Sequence, residues 1–239
     1  MYCLVSGELE EDIKFPRTLV ADGSRALLLL LVSYLLLWEN VTSIPTCVKR
    51  DGDTQKSLRR LFALATFISQ ITSRQAANLF AEFDKQYAQG KRYNDRIPDT
   101  CPSDFLDTPE NKNQVLESKP EVLLKLLCNL LYSWNDPLNH LVKEMSAMPG
   151  DPNAILAKAR EIRGKVGQLM VGVKTILREI GEKHDESYLV WSGMASLKSS
   201  NEDVRRFAFY NLIRCLLRDS RRVNTFLEVL KHQIIQDKC

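Results

Sequence analysis

Residues 120–180 read PEVLLKLLCNLLYSWNDPLNHLVKEMSAMPGDPNAILAKAREIRGKVGQLMVGVKTILREI, and this stretch decides the fold. On both sides of Pro149-Gly150, apolar residues recur every three or four positions, as in two amphipathic helices. Asp151-Pro152 is typical of a helix start, in which a capping side chain precedes a proline at the first helical position. Because only a few residues join the two segments, we expect antiparallel neighbouring helices.

Two further helical patterns flank this pair, one on each side. The apolar positions of helix one are Leu58, Leu61, Phe62, Ala65, Ile68, Leu79 and Phe83. Those of helix two are Leu123, Leu127, Leu130, Trp134, Leu138, Leu141 and Met145, in one segment from about Pro120 to Met145. Those of helix three are Ile155, Ala159, Ile162, Val166, Leu169, Val173, Ile176 and Ile180. Helix four, entered through Ser200, has Phe209, Leu212, Ile213, Leu216, Val223, Leu227, Leu230 and Ile234.

The lengths of the connections predict the topology. The first connection covers roughly residues 90–119 and the third residues 181–199, so each is long enough to run back along a helix. A long, a short and a long connection are typical of up-up-down-down bundles. We therefore predict an all-α fold, a four-helix long-chain cytokine bundle with two long crossover loops.

The N-terminal region contains an unbroken apolar run, Ala26–Trp38, with Arg25 just before it. A run of this length is shorter than the roughly 20 residues of a membrane span and suits the apolar region of a secretory signal peptide. We predict a signal peptide over residues 1–43, with an unusually long segment before the apolar run, and a single secreted domain over 44–239. The alternatives are a signal anchor or buried helix, and an intracellular protein.

Cleavage after Ser43 leaves 30 basic and 24 acidic residues, a net charge of +6. This charge suits an acidic receptor face or a sulfated polysaccharide and does not require nucleic acid. The sequence contains no glycine-rich phosphate loop, no His/Cys spacing typical of a metal site and no nucleophile beside a recognisable base. We therefore predict that the protein is not an enzyme and needs no cofactor.

Two segments resemble the signature segments of the prolactin and growth-hormone family. The first is Cys101–Pro109 (CPSDFLDTP), which leads to Ser133-Trp134; the second begins with Cys215–Ser220 (CLLRDS) and ends at Cys239. Leu36–Pro45 (LLWENVTSIP) also resembles the signal junction of placental prolactin-like hormones. The resemblance implies a secreted prolactin-like hormone of that branch, which binds a single-pass cytokine-type receptor.

The same resemblance implies a disulfide between Cys101 and Cys215. Cys239 lacks its usual family partner, because His232 stands where that cysteine is expected, and Cys47 lacks its own, because no second cysteine follows it in Val48–Thr54. These two cysteines can pair with each other, stay free or bridge two molecules. Cys128 is expected to be a small core residue.

Family hormones bind receptors through two faces. Site one combines helix four, helix one and the first crossover, and site two uses helices one and three. On helix four a basic stripe is predicted, with a solvated helix face as the alternative; its members are Arg214, Arg218, Arg221 and Arg222. In helix three, Gly172 matches the glycine that lets a second receptor approach.

Prolactins that bind zinc at the receptor interface do so at positions that correspond here to Gln70, Ser73 and Asn224. None of these is a good metal ligand, so we predict no metal site, and the prolactin receptor as target is in doubt. The alternative function is binding of heparan sulfate or another receptor through the basic stripe.

Overall fold

The computed structural model describes residues 52–98, 100–182 and 191–235, and within them the chain is helical without any strand. The helices are α1 (Gly52–Phe83), α2 (Lys112–Glu117), α3 (Pro120–Tyr132), α4 (Asn135–Met145), α5 (Asn153–Glu179), α6 (Met194–Leu197) and α7 (Glu202–Ile235). A π-helical turn over Asp84–Ala88 extends α1, and a 3-10 turn over Tyr93–Asp95 lies in the first crossover. The predicted helices one, three and four are α1, α5 and α7.

Helices α1 and α7 pack side by side in opposite directions. Near the middle of α1, Ser69 Oγ donates to Asn224 Oδ1 at 2.9 Å. At the end of α1, the ring of Phe83 packs against that of Phe209, with centroids 6.3 Å apart. Since advancing along α1 means moving backwards along α7, the two helices are antiparallel.

Helix α7 also runs antiparallel to the segment α3–α4. Trp134 Nε1 donates to Asp219 Oδ2 at 3.0 Å, and Gln233 Nε2 donates to the carbonyl oxygen of Ser118 at 3.2 Å. Helix two is therefore parallel to α1, because both are antiparallel to α7.

The remaining pair, helix two and α5, is antiparallel. Arg163 Nη1 lies 3.5 Å from Asn139 Oδ1, and Lys125 Nζ lies 2.7 Å from Glu182 Oε2. Helices one and two thus point one way, and helices three and four point the other. The predicted up-up-down-down bundle is confirmed.

Helix two differs from the prediction, because it is broken into α3 and α4 at Ser133–Trp134. Pro137 explains the break: it has no N–H to donate, and its ring would collide with the carbonyl of Ser133, four residues earlier. The break leaves the Trp134 side chain inside the bundle, where it is 2% exposed.

The helix starts follow the sequence closely. α5 begins at Asn153, one residue later than predicted, and Asp151 Oδ1 accepts the Asn153 N–H at 3.2 Å. α7 is capped by Asn201 rather than by Ser200: Asn201 Oδ1 accepts the N–H groups of Asp203 and Val204, at 3.0 and 3.2 Å.

The predicted inner faces form one core. All the apolar positions named above for the four helices are buried, except four that are half-buried and pack against the core: Leu61, Ile68, Ile180 and Ile234. Cys128 is fully buried, as predicted. In the described part of the chain, no helix is both long and apolar enough to cross a membrane. The predicted signal peptide, Cys47 and Cys239 lie outside the described residues.

The start of the first crossover is fixed to the start of α7. Tyr93 is 2% exposed, and its hydroxyl donates to Asp203 Oδ1 at 3.2 Å. The other carboxylate oxygen of Asp203 lies 2.7 Å from Arg96 Nη2. Further along, the two crossovers meet where Trp191 Nε1 donates to the carbonyl oxygen of Thr100 at 2.7 Å.

Candidate functional site

A disulfide joins the first crossover to the middle of α7. It links Cys101 and Cys215, whose Cα atoms are 5.6 Å apart and whose positions in the chain differ by 114 residues. The pairing implied by the family resemblance is confirmed. The bond fixes one point of a long loop directly on the helix whose outer face is the candidate receptor surface.

A buried carboxylate beside the disulfide gathers four donors. Asp219 is 1% exposed. Its Oδ2 accepts from Trp134 Nε1 at 3.0 Å and from Ser103 Oγ, and its Oδ1 accepts from Arg218 Nε at 2.9 Å and Arg222 Nη1 at 3.5 Å. A buried charge is tolerated when it is paired and hydrogen-bonded in this way. The cluster connects helix two, the first crossover and α7 at one point.

Arg218 extends this cluster to the surface. Its Nη2 lies 2.8 Å from Asp104 Oδ1, while Asp104 Oδ2 accepts the backbone N–H of Cys101 at 2.6 Å. Burial by itself lowers the pKa of Arg218, but the hydrogen bonds and charges of Asp219 and Asp104 outweigh it and raise the pKa above its ordinary value. This guanidinium is therefore a permanent structural cation.

The predicted basic stripe is present as a row on α7, but its members differ in availability. Arg218 and Arg222 are half-buried and share Asp219. Arg214 is half-buried and donates to Asn211 Oδ1 at 2.7 Å. Arg221 is the exposed member of the four. The spacing of the arginines along the helix predicted this row. The sequence analysis did not consider Asp219, the acid next to Arg218 that binds two of the four arginines.

The structure brings Gln70 and Asn224 together at the interface of α1 and α7. Asn224 Oδ1 accepts from Ser69, and its Nδ2 donates to Glu228 Oε1 at 2.9 Å. Gln70 Nε2 lies 3.4 Å from the same Glu228 oxygen. Ser73, three residues after Gln70, is half-buried on α1. The sequence analysis did not single out Glu228, although Glu228 lies one helical turn after Asn224 on the same side of the helix.

This arrangement is a hydrogen-bonded cluster of amides, a hydroxyl and one carboxylate. Neutral amide oxygens and hydroxyls are poor ligands for zinc, which prefers His, Cys and carboxylate groups. Within residues 52–98, 100–182 and 191–235, no three His, Cys, Asp or Glu side chains lie together as a possible metal site.

Gly172 lies on the edge of α5 that faces α1, as the register of the two helices shows. Hydrogen bonds from Lys165 and from Gln75 of α1 lower the pKa of Glu161, so Gln75 and Glu161 lie side by side. Leu64 comes 11 residues before Gln75, and Gly172 comes 11 residues after Glu161. Because 11 residues make about three helical turns, Leu64 and Gly172 lie level with each other in the antiparallel pair.

The surface around Gly172 is open and apolar. Leu64 and Phe67 are 57% and 58% exposed on the outer side of α1. A Cβ atom added at Gly172 would meet no atom of the chain within 4 Å. Packing inside the monomer therefore does not require this glycine, although glycine within a helix costs about 1 kcal/mol relative to alanine. The same holds for Gly164 and Gly167.

A long-chain, up-up-down-down bundle with a disulfide-anchored crossover defines the class of helical hormones and cytokines, whose function lies on helix faces. The model of the somatotropin hormone family matches residues 30–239. Prolactin-2B1 of Rattus norvegicus is 61% identical over 213 residues, which cover 89% of this chain and 93% of the relative. Prolactin-2B1 of Mus musculus is 58% identical over 212 residues, or 88% and 93%. The chain belongs to the somatotropin hormone family.

Family membership confirms the resemblance recognised in the two signature segments, and the two relatives support the predicted prolactin-like branch. Members of this family are secreted hormones that signal and do not catalyse, in agreement with the predicted non-enzymatic function.

Proposed function

We propose that this chain is exported from the cell and acts as a prolactin-like hormone by binding a single-pass cytokine-type receptor. One observation carries the proposal: the disulfide Cys101–Cys215 and the Asp219 cluster hold the first crossover against α7, directly beside the packed pair of α1 and α7. These three elements form one continuous, rigid surface. A rigid surface of helix faces suits a large protein partner, because little conformational freedom is lost on binding.

At the proposed site one, Arg221 is the member of the basic stripe that projects into solvent. Arginine is enriched among the residues that dominate binding energy at protein interfaces. The amide cluster of Gln70 and Asn224 flanks it on the α1 side, with Ser73 further along the same helix. Arg214, Arg218 and Arg222 support the surface through their contacts within the chain.

At the proposed site two, the open strip beside Gly172 offers Leu64 and Phe67 to a second receptor. Exposed large apolar side chains that cluster on one face mark interaction surfaces in soluble proteins. Gly172 on the neighbouring helix α5, level with Leu64, allows close approach of a partner's backbone or aromatic side chain. Binding at both faces would bring two receptor chains together.

The amide cluster also bears on which receptor is used. A receptor that depends on a metal bridge at this position would find hydrogen-bonding groups here instead of metal ligands. We therefore expect signalling by the protein to be unaffected by added zinc or by a chelator. Loss of signalling in a chelator would contradict the proposal for this site.

Signalling by the secreted protein in cells that carry only the prolactin receptor tests the proposal directly. We expect material in the medium to begin at Ile44, and a saturable response in cells whose receptor is the target. Gly172→Arg should abolish the response and leave binding of the first receptor intact, whereas the matched variant Gly164→Arg should keep the response. Arg221→Ala should weaken binding of the first receptor. Failure of well-folded protein to bind prolactin-receptor cells would show that the prolactin receptor is not its target.

The alternative, binding of heparan sulfate through the basic stripe of α7, has weaker support. Arg218 and Arg222 share the carboxylate of Asp219, and Arg218 also pairs with Asp104, so two acids offset these two cations. These carboxylates would repel a sulfated chain, which leaves Arg221 and Arg214 as its contacts on this face.

A further inference from the structure

We propose that the solvent face of α5 is a binding site for a linear sulfated polysaccharide, separate from both proposed receptor faces. The site is a row of residues spaced three or four apart, so that they lie on one side of the helix. Its members are Arg160, Gly164, Gly167, Val171, Lys174 and Arg178, with Arg163 beside the row. We call this set the α5 basic face. The inference does not depend on which receptor the hormone uses.

Charge is segregated along α5. Glu161 and Glu179 are 18 residues apart, or five helical turns, so both lie on the edge of α5 that faces α1. There Glu161 is paired with Lys165 at 2.7 Å. Arg160 and Arg178 are also five turns apart, but on a line rotated by about 100° from the acids. The α5 basic face consequently contains cations and no carboxylate of its own helix.

Two arginines of this face contact neutral oxygen atoms. Arg163 Nη1 lies 3.5 Å from Asn139 Oδ1, and Arg178 Nη2 donates to Thr175 Oγ1 at 3.2 Å. Lys174 Nζ lies 5.5 Å from the ring centroid of Tyr132. Arg160, Arg163 and Arg178 are exposed. Their positive charge is thus directed to solvent, unlike that of Arg218 on α7.

Carboxylates on the neighbouring helix two are few and do not reverse the sign of the face. Glu182, just after α5, pairs with Lys125 at 2.7 Å. Helix two as a whole contains three acids, Glu121, Asp136 and Glu144, and two lysines, Lys125 and Lys143, a net charge of −1 against the four cations of the α5 basic face. The face shared by helices two and three therefore remains net positive.

Between the two ends of the α5 basic face, the glycines leave the helix backbone uncovered by side chains. A Cβ atom at Gly164 or Gly167 would meet no atom within 4 Å, so the backbone is uncovered there. A chain lying along the row could approach the helix closely at the glycines while its anionic groups reach the exposed Arg160 and Arg163 at one end and the exposed Arg178 at the other. Eighteen residues of helix span about 27 Å, which requires an extended polyanion rather than a single anion.

The chemistry of the face favours sulfate groups on a sugar chain. Arginine binds tetrahedral oxyanions with two parallel hydrogen bonds. Single-stranded nucleic acid is held mainly by stacking on aromatic side chains, and among the described residues the ring that the contacts place at this face is that of Tyr132, which is half-buried with Lys174 Nζ over it. Interfacial membrane binding needs several apolar side chains, and Val171, at 65% exposure, is the single large one in the row.

Binding of the full-length secreted protein to heparin and to chemically desulfated heparin tests the proposal. The α5 variant Arg160→Gln/Arg163→Gln/Arg178→Gln removes three exposed charges and should fold normally, which circular dichroism checks. We expect its Kd for heparin to rise at least about tenfold, since each lost ion pair lowers affinity and its salt dependence. Desulfated heparin should bind neither protein.

Two controls remove a comparable charge elsewhere. The α1 variant Arg59→Gln/Arg60→Gln/Arg74→Gln has the same net charge as the α5 variant, and Arg214→Gln/Arg221→Gln removes the two arginines of the α7 stripe that do not contact Asp219. Both should retain affinity within about threefold. Equal losses in the α1 and α5 variants would show that net charge alone governs binding and would overturn the proposal. So would loss confined to the α7 variant, or elution of the unaltered protein below physiological salt.

Competing polyanions provide the remaining outcomes. Phosphatidylserine vesicles and single-stranded DNA are tested at matched ionic strength, and tighter binding to either than to heparin would refute the sulfated polysaccharide as ligand. Hydrogen exchange with a heparin oligosaccharide should slow amides along 160–178, with α7 unchanged. Slowing confined to α1 or α7 would contradict the assignment of the site.

Discussion

Arg218 of α7 and Asp104 of the first crossover, 114 positions apart, form a 2.8 Å ion pair one helical turn from the disulfide of Cys215. The same guanidinium also contacts the buried carboxylate of Asp219. A residue that spacing alone assigns to a receptor-binding stripe thus fixes a loop to a helix. Contacts within the chain therefore shape the crossover side of the proposed site one, and a receptor would bind to the surface that they form.

The two carboxylates that contact Arg218 should differ greatly in their effect on stability. Asp219→Asn leaves four donors around one acceptor oxygen in a buried position, so we expect the free energy of unfolding to fall by about 3–5 kcal/mol. Asp104→Asn removes a half-exposed pair, for which we expect about 0–1 kcal/mol. Urea unfolding of both variants with the disulfide intact measures the contrast. Equal losses would mean that Asp219 is not the centre of the cluster.

Removal of the disulfide should destabilise the fold without changing its helices. In the chain-entropy model, a bond that closes a loop of this length contributes about 4–5 kcal/mol. The variant Cys101→Ala/Cys215→Ala should unfold at correspondingly lower urea concentration, with an unchanged helical circular dichroism spectrum at zero denaturant. A loss below about 1 kcal/mol would show that the Asp219 cluster holds the crossover alone.

Replacing each of the three glycines of α5 by alanine should stabilise the fold in all three cases but weaken receptor pairing in only one. Because each position has open space, Gly164→Ala, Gly167→Ala and Gly172→Ala should each raise the free energy of unfolding by about 0.5–1 kcal/mol. Thermal unfolding measures this gain. Receptor pairing should weaken only in Gly172→Ala. Destabilisation by any of the three would reveal a packing role that the geometry does not show.

Tyr93 should titrate apart from exposed tyrosines. Burial, followed by the nearby charge of Asp203, raises the pKa of Tyr93 to about 12. Since the unfolded phenol ionises near pH 10, stability is fully present below that pH and is lost as pH rises from about 10 towards 12. Absorbance of tyrosinate should contain a component near pH 12 that is missing in Tyr93→Phe. Complete ionisation of all tyrosines by pH 11 in folded protein would refute this.

Sequence reasoning located helices and core well because both depend on local periodicity. The inner-face residues it named are buried or pack at the core margin, and Asp151 accepts the N–H of Asn153, the first residue of α5. It missed the break at Ser133–Trp134, although Pro137 gave the signal, since apolar periodicity continues across it. It also had helix four entered through Ser200, one residue before Asn201, which caps α7.

The candidate sites were less predictable. Spacing placed four arginines on one side of α7, but their partners come from the same helix and from the first crossover, more than 100 residues earlier. The basic face of α5 was not predicted, because Arg160 and Glu161 are adjacent in the sequence and acidic and basic residues look mixed. Only the contact of Glu161 with α1 shows that the acids lie on one side of the helix and the arginines on another.

By itself the sequence determined which segments are helical, which faces they bury and, through the lengths of the connections, that the bundle runs up-up-down-down. These properties follow from residue spacing along a regular helix. Only the tertiary structure decided which charges remain available. The charge of an arginine is available at the surface only when no carboxylate lies within a few ångströms to offset it. Packing between distant parts of the chain determines which carboxylates lie that close. Arg218 and Arg160 carry the same charge, yet packing gives one a structural role and leaves the other facing solvent.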